Sequence, residues 1–294
     1  MSTCATKQPL PNPESIKALA IDLDGTMLAP GAELSERTAR TLKLCARRGL
    51  RIVIATGRAT EAAEPFRETL GITGPMVYYN GAVVVDTPER KVLNTILMDI
   101  KAAEFCLDLA REMGVYCQIY FPDGISLDGE KGSYISLLAE RNSAELDMYH
   151  KHTGILAGLV DLKEALAYPG LPGCIKTMFL AEPEVLAVVR PKLEAHFGNN
   201  AYIAQSHRTY LEVMNVKASK GYGLQFVMNH YSLKKEEVIA FGDEENDLPM
   251  FKVSGFSAAP SSAKDTVRDA ADLIIGSNAE DGLAAFLEEF FQLQ

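Results

Sequence analysis

Residues 16–26, with the sequence IKALAIDLDGT, decide the fold of this 294-residue chain. The first part of the stretch places apolar side chains on both faces of an extended segment, which is typical of a strand buried within a parallel sheet. The strand runs directly into Asp22, and Asp24 follows one step into the loop. In an open α/β sheet, ligands bind outside the carboxyl ends of the strands, so we expect polar chemistry at this point.

Short alternating strands and helices follow this stretch. Ser35 is suited to cap a helix that ends at Gly49, and the next strand, LRIVIA, stops at Thr56. A second helix begins near Thr60 and ends at Gly71, and the strand MVYY comes next. Strand–helix–strand units this short predict right-handed βαβ connections and a parallel sheet.

The alternation changes after Asn80-Gly81 and returns after Arg208. We therefore predict a flexible tail over 1–15, a Rossmann-like parallel-sheet α/β core over 16–81 and 209–294, and an inserted α+β cap domain over 82–208. Within the insertion, AVVVD and KVLNTIL favour a hairpin, a turn begins at Pro122 before ISLD, and Pro191 should kink or split a helix.

Composition excludes several classes of protein. With 29 Lys+Arg against 39 Asp+Glu, the net charge of −10 argues against binding to nucleic acid or an anionic membrane. The hydrophobic content of 47% argues against a disordered chain. No apolar run is long enough for a membrane span, and the N-terminal residues lack a secretory core. Five cysteines without a CxxC pair favour free thiols in a cytoplasmic protein.

Four polar motifs lie at predicted strand ends or open the following helix. They are Asp22-Leu23-Asp24-Gly25-Thr26, Thr56-Gly57-Arg58, Lys220 and GDEENDLPM over 242–250. Their order and spacing resemble the motifs of the haloacid-dehalogenase superfamily of aspartate-nucleophile phosphohydrolases. The large insertion and the Asn80-Gly81-Ala82 sequence are similar to its Cof-type branch. The resemblance covers the chain from about residue 16 to residue 290.

The resemblance implies different roles for the two carboxylates of the first motif. Asp22 would attack phosphorus and form an acyl-phosphate, and Asp24 would protonate the leaving oxygen and then deprotonate water. Gly25 would let the backbone turn close to the phosphoryl group, and its amide and that of Thr26 would bind an equatorial oxygen. An Asp-Gly pair can also be a simple turn, but the whole pentapeptide after a buried strand favours the catalytic interpretation.

The resemblance also implies a magnesium site. Asp22, Asp243 and the backbone carbonyl of Asp24 would surround the cation, because Mg²⁺ prefers oxygen ligands and retains several waters. Asp247 would hold metal-bound water or orient the other ligands. Glu245 is expected to be a solvated residue at a helix start, and the role of Glu244 is left open.

Further residues are expected to bind the phosphoryl group or the substrate. A lysine at a helix start is unfavourable for the helix dipole, so Lys220 is expected to act in the site by pairing with the nucleophile.

The hydroxyl and amide of Thr56, with Gly57, would contact a phosphoryl oxygen. Arg58 would reach the substrate or the insertion. Asn246 and Asn80 would bind phosphate or substrate, although Asn80-Gly81 also fits a hairpin turn. Those two asparagines complete the predicted set.

The function predicted from these residues is a Mg²⁺-dependent phosphatase for small phosphomonoesters, such as sugar or other metabolite phosphates. A phosphotransferase or phosphomutase would use the same nucleophile, and a metabolite-sensing protein would keep the site with little turnover. A receiver domain also has an acidic strand-end cluster and a lysine, but it explains neither the insertion nor DLDGT. The expected partner is a small phosphorylated metabolite, and the sequence sets no expectation for oligomeric state.

Overall fold

The structure is a computed structural model that describes residues 6–122, 135–141 and 143–293. They form two compact units. The first unit takes in the chain up to Ala59, then Ala63–Asn94, then the chain from Ser219; the second takes in Thr60–Ala62 and Thr95–Ala218. The turn predicted to follow Pro122 and the segment ISLD lie outside the described residues.

The first part of the chain contains strands and helices in alternation. In chain order they are β1 (Ala18–Ile21), α1 (Glu36–Arg47), β2 (Arg51–Ile54), α2 (Thr60–Leu70), β3 (Gly74–Tyr78), β4 (Val83–Thr87) and β5 (Lys91–Thr95). The Ser35 hydroxyl accepts the Thr38 N–H and so caps α1, as predicted. Gly71 ends α2 in the left-handed conformation that glycine adopts readily.

The second part of the chain forms a mixed α+β unit. Its elements are α3 (Ile100–Met113), β6 (Tyr116–Pro122), β7 (Ile135–Ala139), α4 (Ala144–Thr153), β8 (Gly158–Leu159), α5 (Leu162–Leu166), β9 (Lys176–Leu180), α6 (Pro183–Phe197), β10 (Ala201–His207) and β11 (Tyr210–Asn215). Pro191 does not split α6, contrary to one of the predicted outcomes. A proline removes one backbone hydrogen bond, and burial of Leu186, Val189 and Leu193 holds the helix on both sides of it.

The last part of the chain returns to the first unit. Its elements are α7 (Lys220–His230), β12 (Val238–Phe241), α8 (Leu248–Val253), β13 (Phe256–Pro260), α9 (Asp265–Arg268), β14 (Leu273–Ile275) and α10 (Gly282–Phe290). The Ser219 hydroxyl accepts the Tyr222 N–H and so fixes the first turn of α7. These elements agree with the return of alternating helices and strands that the sequence predicts after Arg208.

A five-stranded parallel sheet forms the centre of the first unit, with the order β14-β13-β12-β1-β2. Strand β1 is central, and Ala18 is in register with Val238 on one side and Arg51 on the other. All four residues of β1 and of β12 are buried, as expected of strands covered on both faces. The predicted fold class, a Rossmann-like α/β core with an inserted α+β domain, is confirmed.

Strand β3 differs from the prediction of a third strand in the parallel sheet. It begins a separate three-stranded sheet, β3-β4-β5, and touches the end of β2 through one parallel bridge, Ala55 to Val77. Because β4 pairs antiparallel with β3, it belongs to the first unit. The second unit therefore spans mainly Thr95–Ala218, whereas the sequence analysis places the insertion at 82–208.

The second unit has a six-stranded sheet with the order β10-β11-β9-β6-β7-β8. Its apolar core includes Cys106, Leu107 and Val189 from α3 and α6 and Phe179 and Leu211 from the strands. None of the helices in the described ranges is both long enough and apolar enough to cross a membrane.

Residues near the N-terminus make hydrogen bonds within the first unit. The Lys7 N–H donates to the Asp272 carbonyl over 2.9 Å, and the Gln8 amide donates to the Gly255 carbonyl over 3.1 Å. A short 3₁₀ helix, Pro13–Ser15, leads into β1.

Candidate active site

Asp22 lies at the carboxyl end of the central strand β1. Its N–H donates to the carbonyl of Phe241, the last residue of β12, over 3.0 Å, and its side chain is buried. Because β1 and β12 are parallel, the loops that follow them leave the same edge of the sheet. Asp22 and the acidic loop after Phe241 therefore meet, as the sequence predicts.

Lys220 connects the two acidic loops. Its ammonium donates to Asp22 Oδ1 and to Asp247 Oδ1, each over 2.7 Å, and its side chain is 1% exposed. The second oxygen of Asp247 accepts the backbone N–H groups of Asp243 and Glu244 at 3.0 and 3.1 Å. Both oxygens of Asp247 are therefore engaged, which favours an orienting role for this residue.

The buried carboxylates carry more negative charge than one lysine offsets. Burial raises the pKa of Asp22 well above its usual range, the Lys220 charge opposes this shift, and Asp247 and Asp243 add to it. Burial, followed by repulsion from Asp247, also raises the pKa of Asp243 to about 7, although a hydrogen bond from Thr26 opposes the shift.

Burial alone would lower the pKa of Lys220. The charges of Asp22 and Asp247 outweigh this effect and raise that pKa above its usual range, so the lysine stays charged. With Asp243 included, three carboxylates face one ammonium, and a cation in this place would offset the remaining charge.

The three carboxylates at this edge of the sheet fit a hard divalent cation. Carboxylate oxygens of Asp22, Asp243 and Asp247 lie within 4.8 Å of one another. Gly25 has a φ of +80°, and a Cβ on it would lie 2.1 Å from Asp243 Oδ2, so only glycine leaves this carboxylate its space. An all-oxygen donor set of this kind is what Mg²⁺ prefers.

Asp24 and Arg58 form a bidentate ion pair. Arg58 Nε donates to Asp24 Oδ2 over 2.7 Å, and Nη2 donates to Oδ1 over 2.5 Å. The sequence analysis places Arg58 on the substrate or the insertion and does not predict this pair. Asp24 points into a more open environment than Asp22, since its side chain is 53% exposed.

The amide of Thr56 is engaged differently from the prediction. Its N–H donates to the Val77 carbonyl over 2.9 Å, because β3 runs beside the end of β2, so this amide is not free for a phosphoryl oxygen. The Thr56 hydroxyl accepts the Arg58 N–H over 3.0 Å and keeps its own proton to donate. The buried hydroxyl thus remains a candidate phosphoryl contact, beside Gly57.

Asn80 joins the turn between β3 and β4 to the acidic loop. It adopts a left-handed backbone conformation, with φ 53° and ψ 34°, in the connection between two paired strands, as the hairpin interpretation predicts. Its Oδ1 also accepts the Asn246 amide over 2.9 Å. Within the described part of the chain, the buried Oδ1 of Asn246 has no hydrogen-bond partner and is available to a donor on a ligand.

The two glutamates of the acidic loop lie toward the surface. Glu244 pairs with Lys264 over 2.7 Å, with both side chains about half exposed. Glu245 is exposed in a short 3₁₀ helix, Glu245–Asp247, in agreement with the predicted helix start.

One buried group near the site was missed by the sequence analysis. Glu64 of α2 accepts the Tyr78 hydroxyl over 2.6 Å and pairs with Arg67 over 2.8 Å, and all three side chains are buried. The Glu64–Tyr78 hydrogen bond connects α2 to β3. Helix α2 follows the Thr56 loop, and β3 precedes Asn80. A glutamate and an arginine three residues apart on the inward face of a helix were the available signal.

Comparison with known proteins places these residues in a family context. Residues 19–287 match the model of the haloacid dehalogenase-like hydrolase family. Two Bacillus subtilis proteins named 5-amino-6-(5-phospho-D-ribitylamino)uracil phosphatase, YitU and YwtE, are each 27% identical to the chain. The YitU match covers 94% of this chain and 97% of YitU, and the YwtE match covers 95% and 99%.

A solved structure has the same fold. The X-ray crystal structure of TM0651 from Thermotoga maritima is 27% identical, with a TM-score of 0.77, and the match covers 93% of this chain and 97% of that one. The match to the family model extends over most of the chain, and it confirms the resemblance drawn from the motifs. The chain belongs to the haloacid dehalogenase-like hydrolase family.

Proposed function

We propose that the protein is a Mg²⁺-dependent phosphatase that hydrolyses small-molecule phosphomonoesters through an aspartyl-phosphate at Asp22. The observation that carries the proposal is the contact of Lys220 with one oxygen of a buried, strand-end aspartate. Membership of a hydrolase family and relatives named as phosphatases support it.

Asp22 is the proposed nucleophile. Lys220 occupies Oδ1, and the second carboxylate oxygen of Asp22 attacks phosphorus as the bond to the leaving oxygen breaks. The lysine ammonium remains beside the phosphoryl group as negative charge shifts onto it. Water is kept from this oxygen by burial of the side chain until substrate enters.

Asp24 is the proposed acid and base. In the first half of the reaction its proton moves to the leaving oxygen, so that an alcohol departs. In the second half it takes a proton from water, whose oxygen attacks phosphorus while the bond to Asp22 breaks. Phosphate is released, and both aspartates return to their starting states.

Asp22, Asp243 and the backbone carbonyl of Asp24 would hold the magnesium ion, and Asp247 would orient the surrounding groups. When bound, the ion supplies positive charge that offsets repulsion between the phosphate and the carboxylates. The Thr56 hydroxyl and the amide groups of Gly25 and Thr26 are the proposed contacts of the phosphoryl oxygens.

The proposed substrates are small phosphorylated metabolites such as sugar phosphates. The names of YitU and YwtE specify a phosphate on a ribityl chain, which belongs to this chemical class. The Asn80–Asn246 pair is the proposed contact for a substrate hydroxyl, because a buried amide oxygen is left for a donor.

The test is phosphate release by the purified protein from a panel of sugar, nucleotide and polyol phosphates, with Mg²⁺ and with chelator. We expect metal-dependent release that Asp22→Asn abolishes. Phosphate transfer to an added sugar, without release to water, would instead identify a phosphotransferase. Tight binding with negligible release would identify a sensor.

A further inference from the structure

We infer that Arg58 is the positioning residue of Asp24: its guanidinium fork holds the Asp24 carboxyl group in the orientation from which it exchanges a proton with the leaving oxygen. The inference rests on the proposed function, because it takes Asp24 as the acid and base. It assigns Arg58 an action on Asp24 in place of the direct substrate contact expected from the sequence.

The geometry of the pair is that of a specific fork. Two nitrogens of Arg58 donate to two different oxygens of Asp24, at 2.7 and 2.5 Å. Two parallel hydrogen bonds fix both the position and the plane of a carboxyl group, whereas a lysine would supply a point charge without fixing the plane.

Arg58 is itself held by its surroundings. Its N–H donates to the Thr56 hydroxyl, and its carbonyl accepts the Tyr79 N–H over 3.1 Å. Its guanidinium carbon lies 5.2 Å from the centroid of the Phe66 ring. The Arg58 side chain is 22% exposed, so its surroundings restrict the rotamers that it can adopt.

Asp24 depends on this restraint more than Asp22 does. Its side chain is 53% exposed, so without the fork the carboxyl group would turn freely in solvent. Most ion pairs this exposed contribute little to stability, so the fork's main consequence is orientation. Small errors in the position of a proton donor slow proton transfer strongly.

The fork is compatible with both halves of the reaction. When one oxygen of Asp24 carries the proton, that oxygen keeps a lone pair and the other stays a full acceptor, so both can still accept from Arg58. When the proton has moved to the leaving oxygen, both oxygens accept from the fork, and the group is placed to take a proton from water. Arg58 neither gives nor receives a proton in either half.

This role predicts a dependence on the leaving group. A 4-nitrophenolate leaves without much protonation, whereas an alkoxide requires a proton. The parameter kcat/KM reports the steps up to departure of the leaving group, so it isolates the proton donation by Asp24 from the later attack by water.

The experiment compares kcat/KM for 4-nitrophenyl phosphate and for glycerol phosphate in the Mg²⁺-loaded protein. The variants are Arg58→Met, Arg58→Lys, Asp24→Asn and the Arg58→Met/Asp24→Asn double variant. The control is Arg37→Met, which removes another two-nitrogen arginine–carboxylate pair: Arg37 of α1 donates through Nε and Nη2 to Oε1 and Oε2 of Glu288 in α10. Circular dichroism and Tm verify that each variant is folded.

We expect Arg58→Met to lower kcat/KM for glycerol phosphate by at least about tenfold more than for the nitrophenyl ester. Arg58→Lys should show the same pattern, and Arg58→Met should cause no further loss when Asp24 is already Asn. Arg37→Met should leave both substrates unaffected. Equal losses for both substrates, full activity of Arg58→Lys, or additive losses in the double variant would overturn the inference.

The experiment also separates this inference from the proposed function. If the parent protein with Mg²⁺ hydrolyses neither these two esters nor any member of the substrate panel, the proposed function fails and the inference fails with it. If the parent is active and Asp22→Asn is inactive, the proposed function stands, and the leaving-group pattern alone decides the role of Arg58.

Discussion

The ammonium nitrogen of Lys220 lies 2.7 Å from Oδ1 of Asp22, and both side chains are buried at the edge of the parallel sheet. A cation at the first turn of a helix opposes the helix dipole, so α7 gains nothing locally from this lysine. Its two carboxylate partners explain its position. The pair joins the loop after β1 to α7, which are separated by most of the chain.

Replacement of Lys220 by methionine should destabilise the protein. Asp22 and Asp247 would face each other without a cation, and breaking a buried ion pair costs about 3–5 kcal/mol. We expect a large fall in Tm in the presence of chelator, partly restored by Mg²⁺, and loss of phosphate release. Thermal denaturation with and without Mg²⁺ measures this.

The control for that variant is Lys217→Met, because Lys217 is exposed and lies three residues earlier. It should retain the Tm and the activity of the parent. A Lys220→Met protein as stable as Lys217→Met in chelator would contradict the description of Lys220 as the counter-ion of the cluster.

Gly25→Ala should impair the site more than Gly31→Ala. Both glycines have positive φ, +80° and +86°, so both alanines carry similar backbone strain. Only at Gly25 would the new Cβ meet a carboxylate, that of Asp243 at 2.1 Å, whereas nothing lies within 4 Å at Gly31. We expect the Mg²⁺ concentration for half-maximal activity to rise at least about tenfold for Gly25→Ala alone. Similar values for the two variants would show that the close approach is unimportant.

Asp247→Asn should damage the site despite its similar shape. The asparagine oxygen can still accept the N–H groups of Asp243 and Glu244, but its NH₂ group would then point at the Lys220 ammonium, so that two donors face each other. We expect lower Tm and a loss of kcat of at least about a hundredfold. Thermal denaturation and steady-state kinetics test this, and a variant with parental kinetics would exclude an orienting role.

Asn80→Gly separates the turn conformation of residue 80 from the contact of its side chain with Asn246. Glycine accepts the left-handed conformation of Asn80 but removes the amide that meets Asn246. If the amide orients Asn246, KM for a sugar phosphate should rise several-fold in Asn80→Gly. An unchanged KM would assign Asn80 to the turn only, and Asn80→Ala then measures the backbone contribution.

Much of the site was predictable from the sequence because it depends on strand ends. Asp22 and Asp243 follow buried apolar strands, and parallel strands bring their following loops to one edge. The unusual position of Lys220 at a helix start was a further signal. These features arise from local patterns and from the rules of parallel sheets.

The remaining features depend on contacts that no local pattern encodes. The Thr56 N–H is hydrogen-bonded to the Val77 carbonyl because β3 lies beside the end of β2. The Arg58–Asp24 fork depends on the conformations of two loops. The position of the second unit's edges depends on the pairing of β4 with β3. Each feature depends on a tertiary contact. The sequence pattern is compatible with several strand arrangements, so it does not specify which of these contacts forms.

The most direct test of the central claim is a search for covalent phosphate on Asp22. The protein is mixed with Mg²⁺ and a phosphomonoester carrying labelled phosphorus, quenched in acid within milliseconds, and digested. The same is done with Asp24→Asn, in which attack by water should be slow, and with Asp22→Asn. We predict label on the peptide that contains Asp22, released by hydroxylamine and absent from Asp22→Asn. Turnover by the parent with no label in either the parent or Asp24→Asn, or label that persists in Asp22→Asn, would contradict the account.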